Sequence, residues 1–139
     1  PSRYTYPNLM EKREFTISIP SADYVCEADF FGIASGETTD KFAATGLTPV
    51  KASAVDAPYV GEFPVILECR VSAVTEIGAH TQFIGTILDL KTDESVLDAE
   101  GKPDRSKLRP FAYDPLQVEY FTMAASAGKA FSCGKKFTV

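Results

Sequence analysis

VILECRVSAVTE at residues 65–76 and TQFIGTILDL at 81–90, joined through Ile77-Gly78-Ala79 and His80, carry the strongest structural signal in the chain. In the first stretch apolar side chains fall largely on alternate positions, the period of a strand with two faces. Pro64 bounds it on one side and Gly78 supplies a turning point on the other, so the second stretch returns beside the first. Residues 64–90 therefore read as a long β-hairpin, and the chain is expected to be mainly β with short helices.

Working toward the N-terminus, Leu47 to Phe63 carries Pro49, Pro58 and Gly61. Such punctuation predicts a segment that winds along the surface with brief extended pieces. Thr39 is a candidate cap for a short helix over 40–44, ended by Gly46, and Ser21 for a helix through about Phe31, closed by Gly32. Phe15-Thr16-Ile17-Ser18-Ile19 alternates apolar and small polar before Pro20 stops it, which is a strand pattern. Before that strand, Thr5 can cap a helix whose first turn holds Pro7 and whose apolar side is Leu9 and Met10, through about Glu11. Toward the C-terminus, residues 98–102 form a charged turn, residues 111–113 and 118–121 are short strand candidates, and the tail is aromatic and Gly-rich. No repeat or linker divides the chain, so residues 1–139 are expected to be one domain.

Composition narrows the function classes. The 139 residues hold 14 Lys+Arg against 19 Asp+Glu, a net charge of −5. An acidic balance lacks the basic footprint of a nucleic-acid binder. No apolar run reaches the ~20 residues of a membrane-spanning helix, and the first residues show no signal-peptide pattern. Cys26, Cys69 and Cys133 are odd in number, widely spaced and fit no zinc motif, which favours a reducing, cytoplasmic location. Each is expected to be a small apolar filler or a bystander. Phosphate loops of the G-x-x-x-x-G-K-[ST] kind, G-x-G-x-x-G and G-x-S-x-G are all missing from the sequence.

Three places could carry chemistry. Ser2-Arg3-Tyr4-Thr5 gathers a guanidinium, hydroxyls and the free N–H groups of a helix start, the ingredients of a phosphate cradle. On residue types alone, caps and a solvated arginine account for the same stretch. Lys41, in Asp40-Lys41-Phe42, stands near another helix start and could meet a phosphate or simply face water. His80 is the single histidine, set where turn meets strand, and could act beside a cofactor or merely bond a strand end. Tyr113, Tyr120 and Phe121 could stack on a planar ring or belong to the core.

Taken in order, these pieces resemble the flavoredoxin branch of the flavin reductase-like family. The matching runs are Tyr4-Thr5-Tyr6-Pro7-Asn8-Leu9-Met10-Glu11, FTISIP at 15–20, SADYVCEADFFGIASGETTDKFAATGLTPV at 21–50, and Ala57-Pro58-Tyr59-Val60. They continue in Val65-Ile66-Leu67-Glu68-Cys69 and Gly78-Ala79-His80-Thr81-Gln82-Phe83-Ile84-Gly85, and end in Gly128-Lys129-Ala130-Phe131-Ser132. The resemblance implies an FMN-binding split β-barrel of Greek-key type, assembled as a homodimer with flavin near the subunit interface. It assigns Arg3 and Thr5 to the phosphate-binding turn, with Ser2 and Tyr4 as weaker matches, Lys41 to a basic position near the phosphate, and His80 to the flavin or nicotinamide side. It implies a flavin reductase-like oxidoreductase, in which a bound flavin supplies the redox chemistry. The donor would be reduced nicotinamide, NAD(P)H, or a redox partner protein. The alternative kept open is a non-catalytic split-barrel binder of flavin or another ligand. Family members carry further strands before the Tyr4-Thr5-Tyr6 segment, so this chain is expected to be the later part of a longer protein, with open sheet edges and part of a pocket.

Overall fold

The computed structural model describes residues 3–123 and 125–137. Among them the strands are β1 (Glu14–Ile19), β2 (Pro49–Lys51), β3 (Pro58–Val60), β4 (Val65–Ile77), β5 (His80–Thr92), β6 (Phe111–Asp114) and β7 (Glu119–Thr122). The α-helices are α1 (Thr5–Lys12), α2 (Val25–Ile33), α3 (Lys41–Thr45) and α4 (Arg105–Leu108). Strands dominate and the helices are short, as the sequence implies. Among the described residues no helix is long and apolar enough to cross a membrane.

The long hairpin is present and is the scaffold. β4 and β5 pair antiparallel from Val65↔Thr92 to Ile77↔His80, and Gly78 makes the turn with φ 57°. That left-handed conformation suits a residue without Cβ. β1 pairs antiparallel on the other side of β4, giving the sheet order β1-β4-β5. The register slips between Glu68 and Cys69 and again between Val71 and Ala73. Such bulges bend a strand and increase its twist. Where the sheet bends, Phe15 lies against Gly85, and a Cβ built on Gly85 would fall 2.6 Å from the ring's Cζ. Glycine is what lets the ring of β1 reach across the sheet.

The two ends of the hairpin differ. At its base Val65, Ile66, Glu68, Cys69 and Val71 are buried, whereas Ser72, Ala73 and residues 75–80 near the tip are exposed. The base is buried because residues 47–63 fold over it. This corrects the expectation of a surface segment: Leu47, Ala52, Val55, Val60 and Phe63 are all buried. Leu47, Val60, Phe63 and Ile66 form one core cluster, flanked by Tyr24, Phe31, Phe42 and Tyr59. β2 and β3 pair with each other, and β3 is stitched to β1 by Thr16 Oγ1 donating to the Pro58 carbonyl at 2.5 Å and Val60 N–H donating to Ser18 Oγ at 3.2 Å.

A charged latch holds the same segment. Glu68 is fully buried, at 0% exposure, and its carboxylate accepts from the backbone N–H of Ser53 at 3.3 Å and of Ala54 at 2.5 Å. The Lys91 ammonium bonds both Glu68 and Asp89. Burial alone pushes the Glu68 carboxyl up, but the Lys91 ammonium and the two N–H groups outweigh it and hold it below its ordinary value.

Helix starts differ in detail from expectation. α1 begins at Thr5, and neither Thr5 nor Tyr4 caps it through a side chain; its end is set by Arg13 with φ 56°. The stretch from Ser21 begins as a single 3-10 turn over Ala22–Tyr24 before α2, and Ser21 makes no side-chain cap. α3 is capped by Asp40, which accepts from Ala43 N–H at 3.1 Å, in place of Thr39. A carboxylate outdoes a β-branched hydroxyl here because it sits directly at the cap position. β6 and β7 form a hairpin docked on α2 through Tyr120, whose hydroxyl donates to Asp29 at 2.7 Å.

Candidate functional site

At the end of α2 the backbone carbonyl of Phe31 has no further helical turn to satisfy it. Lys41, ten residues on, supplies the donor: its Nζ bonds that carbonyl at 2.6 Å and stands 5.7 Å from the Phe31 ring centroid. Between them the chain turns at Ser35, whose carbonyl accepts from Thr38 and Thr39 N–H at 3.3 and 3.0 Å. Its hydroxyl oxygen accepts from Glu37 N–H at 3.2 Å. Gly36 follows, and a Cβ there would come within 3.1 Å of the Tyr4 ring. The missing side chain lets the segment before α1 lie directly on this turn.

These approaches enclose an open cleft of about 330 Å³, lined by Arg3, Tyr4, Thr5, Phe31, Gly32, Ala34, Ser35, Gly36 and Lys41. The structure thus brings Arg3, Tyr4, Thr5 and Lys41 to one place, although Lys41 lies far along the sequence from the other three. Ser2 lies outside the described residues. The Arg3 guanidinium has no partner among the described residues, while Lys41 spends one of its three donors on Phe31. Two cations and three hydroxyl residues, Tyr4, Thr5 and Ser35, line this cleft, groups of the kind that can meet an anion. A second cleft of about 390 Å³ shares Phe31 with it and is walled by Phe42, Pro58, Tyr59 and Phe63, with Thr16 and Ser18 at its edge. A polar pocket opening beside an aromatic one suits a ligand with a phosphate at one end and a flat ring at the other.

His80 does not line the first cleft. It stands exposed at the start of β5, paired with Ile77 at the hairpin tip. Beside it, Thr81 Oγ1 is buried with no hydrogen-bond partner among the described residues. The tip is tied back to α1 by Tyr6, whose ring packs edge-on to Phe83 at 6.1 Å. Tyr113 and Tyr120 pack on each other at 5.5 Å in the β6–β7 hairpin, and neither they nor Phe121 line the two clefts. Cys26 and Cys133 are exposed and Cys69 is buried, its thiol pushed up by burial, with no two of them paired.

Phe31, Ser35, Gly36 and Tyr59 are the lining residues that motif reading passed over. The Ala34-Ser35-Gly36 run carried a signal, since a small, turn-forming triplet after a helix often marks a close backbone approach.

Comparison with known proteins agrees with this architecture. Residues 1–116 match the model of the flavin reductase like domain. The structure superposes on the flavoredoxin of Desulfovibrio vulgaris (Miyazaki F) with a TM-score of 0.89 and 51% identity, covering 96% of this chain and 72% of that one. It superposes on a flavoredoxin from Methanosarcina acetivorans with a TM-score of 0.90 and 30% identity, covering 99% and 72%. An uncharacterized protein of Archaeoglobus fulgidus is 33% identical over 132 residues, 94% of this chain. The chain spans just under two thirds of that relative, 66% of its length. With most of its length matched in sequence and nearly all of it in structure, the chain belongs to the flavin reductase-like domain family and has its split-barrel fold.

Proposed function

We propose that the chain is the flavin-binding part of an electron-transfer or flavin-reducing protein, with FMN as its flavin. The observation that carries the reading is the convergence of Arg3, Thr5 and Lys41 on one polar cleft beside an aromatic one. Similarity to two flavoredoxins supports the flavin.

In this reading Arg3 holds the phosphate through its uncommitted guanidinium, Thr5 and Ser35 offer hydroxyls, and Lys41 adds charge with its remaining donors. Tyr4 and Ser2 flank the phosphate turn. Phe31, between the two clefts, separates the charged end from the ring end and keeps water from the latter. The bound flavin supplies hydride or single-electron exchange. His80 lines neither cleft of its own chain, so its assignment to the ring side rests on the second copy proposed below, whose hairpin tip would bring an imidazole there to hold or move a proton. Reduced nicotinamide or a redox partner protein is the proposed electron source.

A second copy of the chain is the proposed partner. Ile17, Leu67 and Leu90 sit opposite one another across β1, β4 and β5, and Ile17 and Leu90 are 44% and 57% exposed, with Ile87 on β5 also at 57%. An apolar row of this kind favours a closed two-fold contact. The location proposed is the cytoplasm.

A plain flavin carrier is the second reading, favoured by His80 lining neither cleft of its own chain. One titration tests both. FMN added to the purified chain should bind with a shifted absorbance spectrum, and FAD more weakly. Bleaching by reduced nicotinamide supports the reductase, and bleaching only by a reduced partner protein supports the electron carrier. Binding without any bleaching leaves the plain flavin carrier. Failure to bind any flavin overturns the proposal.

A further inference from the structure

On the side of the molecule built by β6 and β7 there is another cleft, of about 340 Å³, lined by Arg105, Ser106, Arg109, Pro110, Thr122 and Met123. It shares no residue with the two clefts described above. Its frame is fixed by backbone bonds. Met123 N–H donates to the Pro110 carbonyl at 3.1 Å, Arg109 N–H to the Arg105 carbonyl at 2.9 Å, and Ala22 N–H to the Arg109 carbonyl at 2.9 Å. Arg109 is also anchored by its side chain, with Nη1 donating to Asp23 Oδ1 at 2.5 Å.

Arg105 is different. Its guanidinium has no partner among the described residues, and it lies exposed on the single turn of α4. The nearest acid in sequence, Asp104, is committed to Ser106, accepting from its N–H at 2.7 Å and its hydroxyl at 2.6 Å. No side-chain contact among the described residues engages Arg105, which leaves its donors open to the cleft it lines. Two arginines lining one cleft suit a doubly charged anion held through N–H donors, and Pro110 and Met123 add apolar lining. The volume lies within the range of small-molecule sites.

We propose that this cleft binds a small organic phosphomonoester, with its phosphate on Arg105 and the outward N–H groups of Arg109 and its apolar part against Pro110 and Met123. The inference stands apart from the flavin reading, because none of the residues is shared.

Phenyl phosphate is a suitable probe, titrated into the full chain carrying Arg3→Ala and followed by amide NMR. The expected result is saturable shifts at Ser106, Thr122 and Met123, with inorganic phosphate binding more weakly and phenol not at all. Arg105→Gln in the same chain should weaken phenyl phosphate about tenfold or more while leaving the urea midpoint unchanged. Unaltered affinity in Arg105→Gln, shifts confined to residues 31–41, or equal binding of phenol would each overturn the proposal. A fall in the urea midpoint of Arg105→Gln would also count against it, since Arg105 would then serve the fold.

Discussion

Glu68 with Lys91 and Arg3 with Lys41 are two uses of charge in one small molecule. Glu68 is sealed beneath residues 47–63 with every donor around it committed, from Ser53, Ala54 and Lys91. Arg3 lines an open cleft with no donor committed among the described residues. The first charge has been desolvated on folding and repaid by fixed partners within the chain. The second is exposed, and under the proposed function it would exchange water for a ligand's oxygens. Satisfaction within the fold marks the structural charge, and its lack marks the one proposed to bind.

That comparison breaks most visibly at Lys91. Lys91→Met leaves Glu68 buried against two N–H groups with no counter-charge, and stability should fall more than for any other change considered. Urea denaturation measures it, with flavin binding by the folded fraction expected to be unaltered. The same latch gives a pH signature. The Glu68 carboxyl is held below its ordinary 4.5, so its contribution is complete above pH about 4.5. It is lost as the pH falls further, through the lower folded value. Glu68→Gln should flatten the acid limb of the stability curve. An acid limb identical to that of the parent protein would mean that the latch does not form.

Gly85 tests the scaffold that positions both regions. Gly85→Ala puts a methyl 2.6 Å from Phe15 Cζ in the present geometry, and relief by moving the ring should cost about 1–3 kcal/mol. The companion change Phe15→Leu in that background should recover part of the loss. If Gly85→Ala is neutral, Phe15 is free to move and the bend at the bulges is not locked by this contact.

The hairpin was legible because a period of two and a turn glycine are both local properties of residues 65–90. The cover over its base was not. Prolines at 49 and 58 signalled interruption, and nothing local showed that Leu47, Val60 and Phe63 would meet Ile66 in one cluster. Glu68 sits in an alternating strand and gave no sign of burial, since its partners come from residues 53, 54 and 91. In the candidate site, Arg3 and Thr5 could be singled out because they are adjacent. Lys41 joined them through resemblance and proximity to a helix start, whereas its real anchor is the Phe31 carbonyl, a contact no motif encodes. His80 and the β6–β7 aromatics were chosen by type, and type does not say which wall a side chain faces.

Arg3→Ala asks whether the uncommitted charge binds. Hydrogen bonds to a charged group are worth about 1.5–3 kcal/mol. FMN affinity should therefore fall by about ten- to a hundredfold, measured by fluorescence titration, with the urea midpoint unchanged. The reduction rate of flavin that remains bound should stay near that of the parent, because Arg3 is placed at the phosphate end. His80→Ala should do the reverse, lowering transfer more than affinity. If Arg3→Ala keeps full affinity while His80→Ala releases the flavin, the two ends have been assigned the wrong way round.

Lys41 is the intermediate case and gives the finest test. Its ammonium lines the cleft, yet one donor closes α2 at the Phe31 carbonyl and its charge rests near the Phe31 ring. Lys41→Met should therefore show both kinds of loss at reduced size. Stability should drop by about 1 kcal/mol, the ordinary worth of a hydrogen bond within the protein. FMN affinity should drop severalfold, less than for Arg3→Ala, because fewer of its donors are free to reach the phosphate. Lys41→Arg separates the two roles. A guanidinium can still meet the carbonyl and the phosphate, but its planar donors cannot serve both from the ammonium's position. The expected outcome is recovered stability with affinity only partly restored. Equal recovery of both would mean that the contact with Phe31 and the binding of flavin are not in competition, and that Lys41 belongs wholly with Arg3.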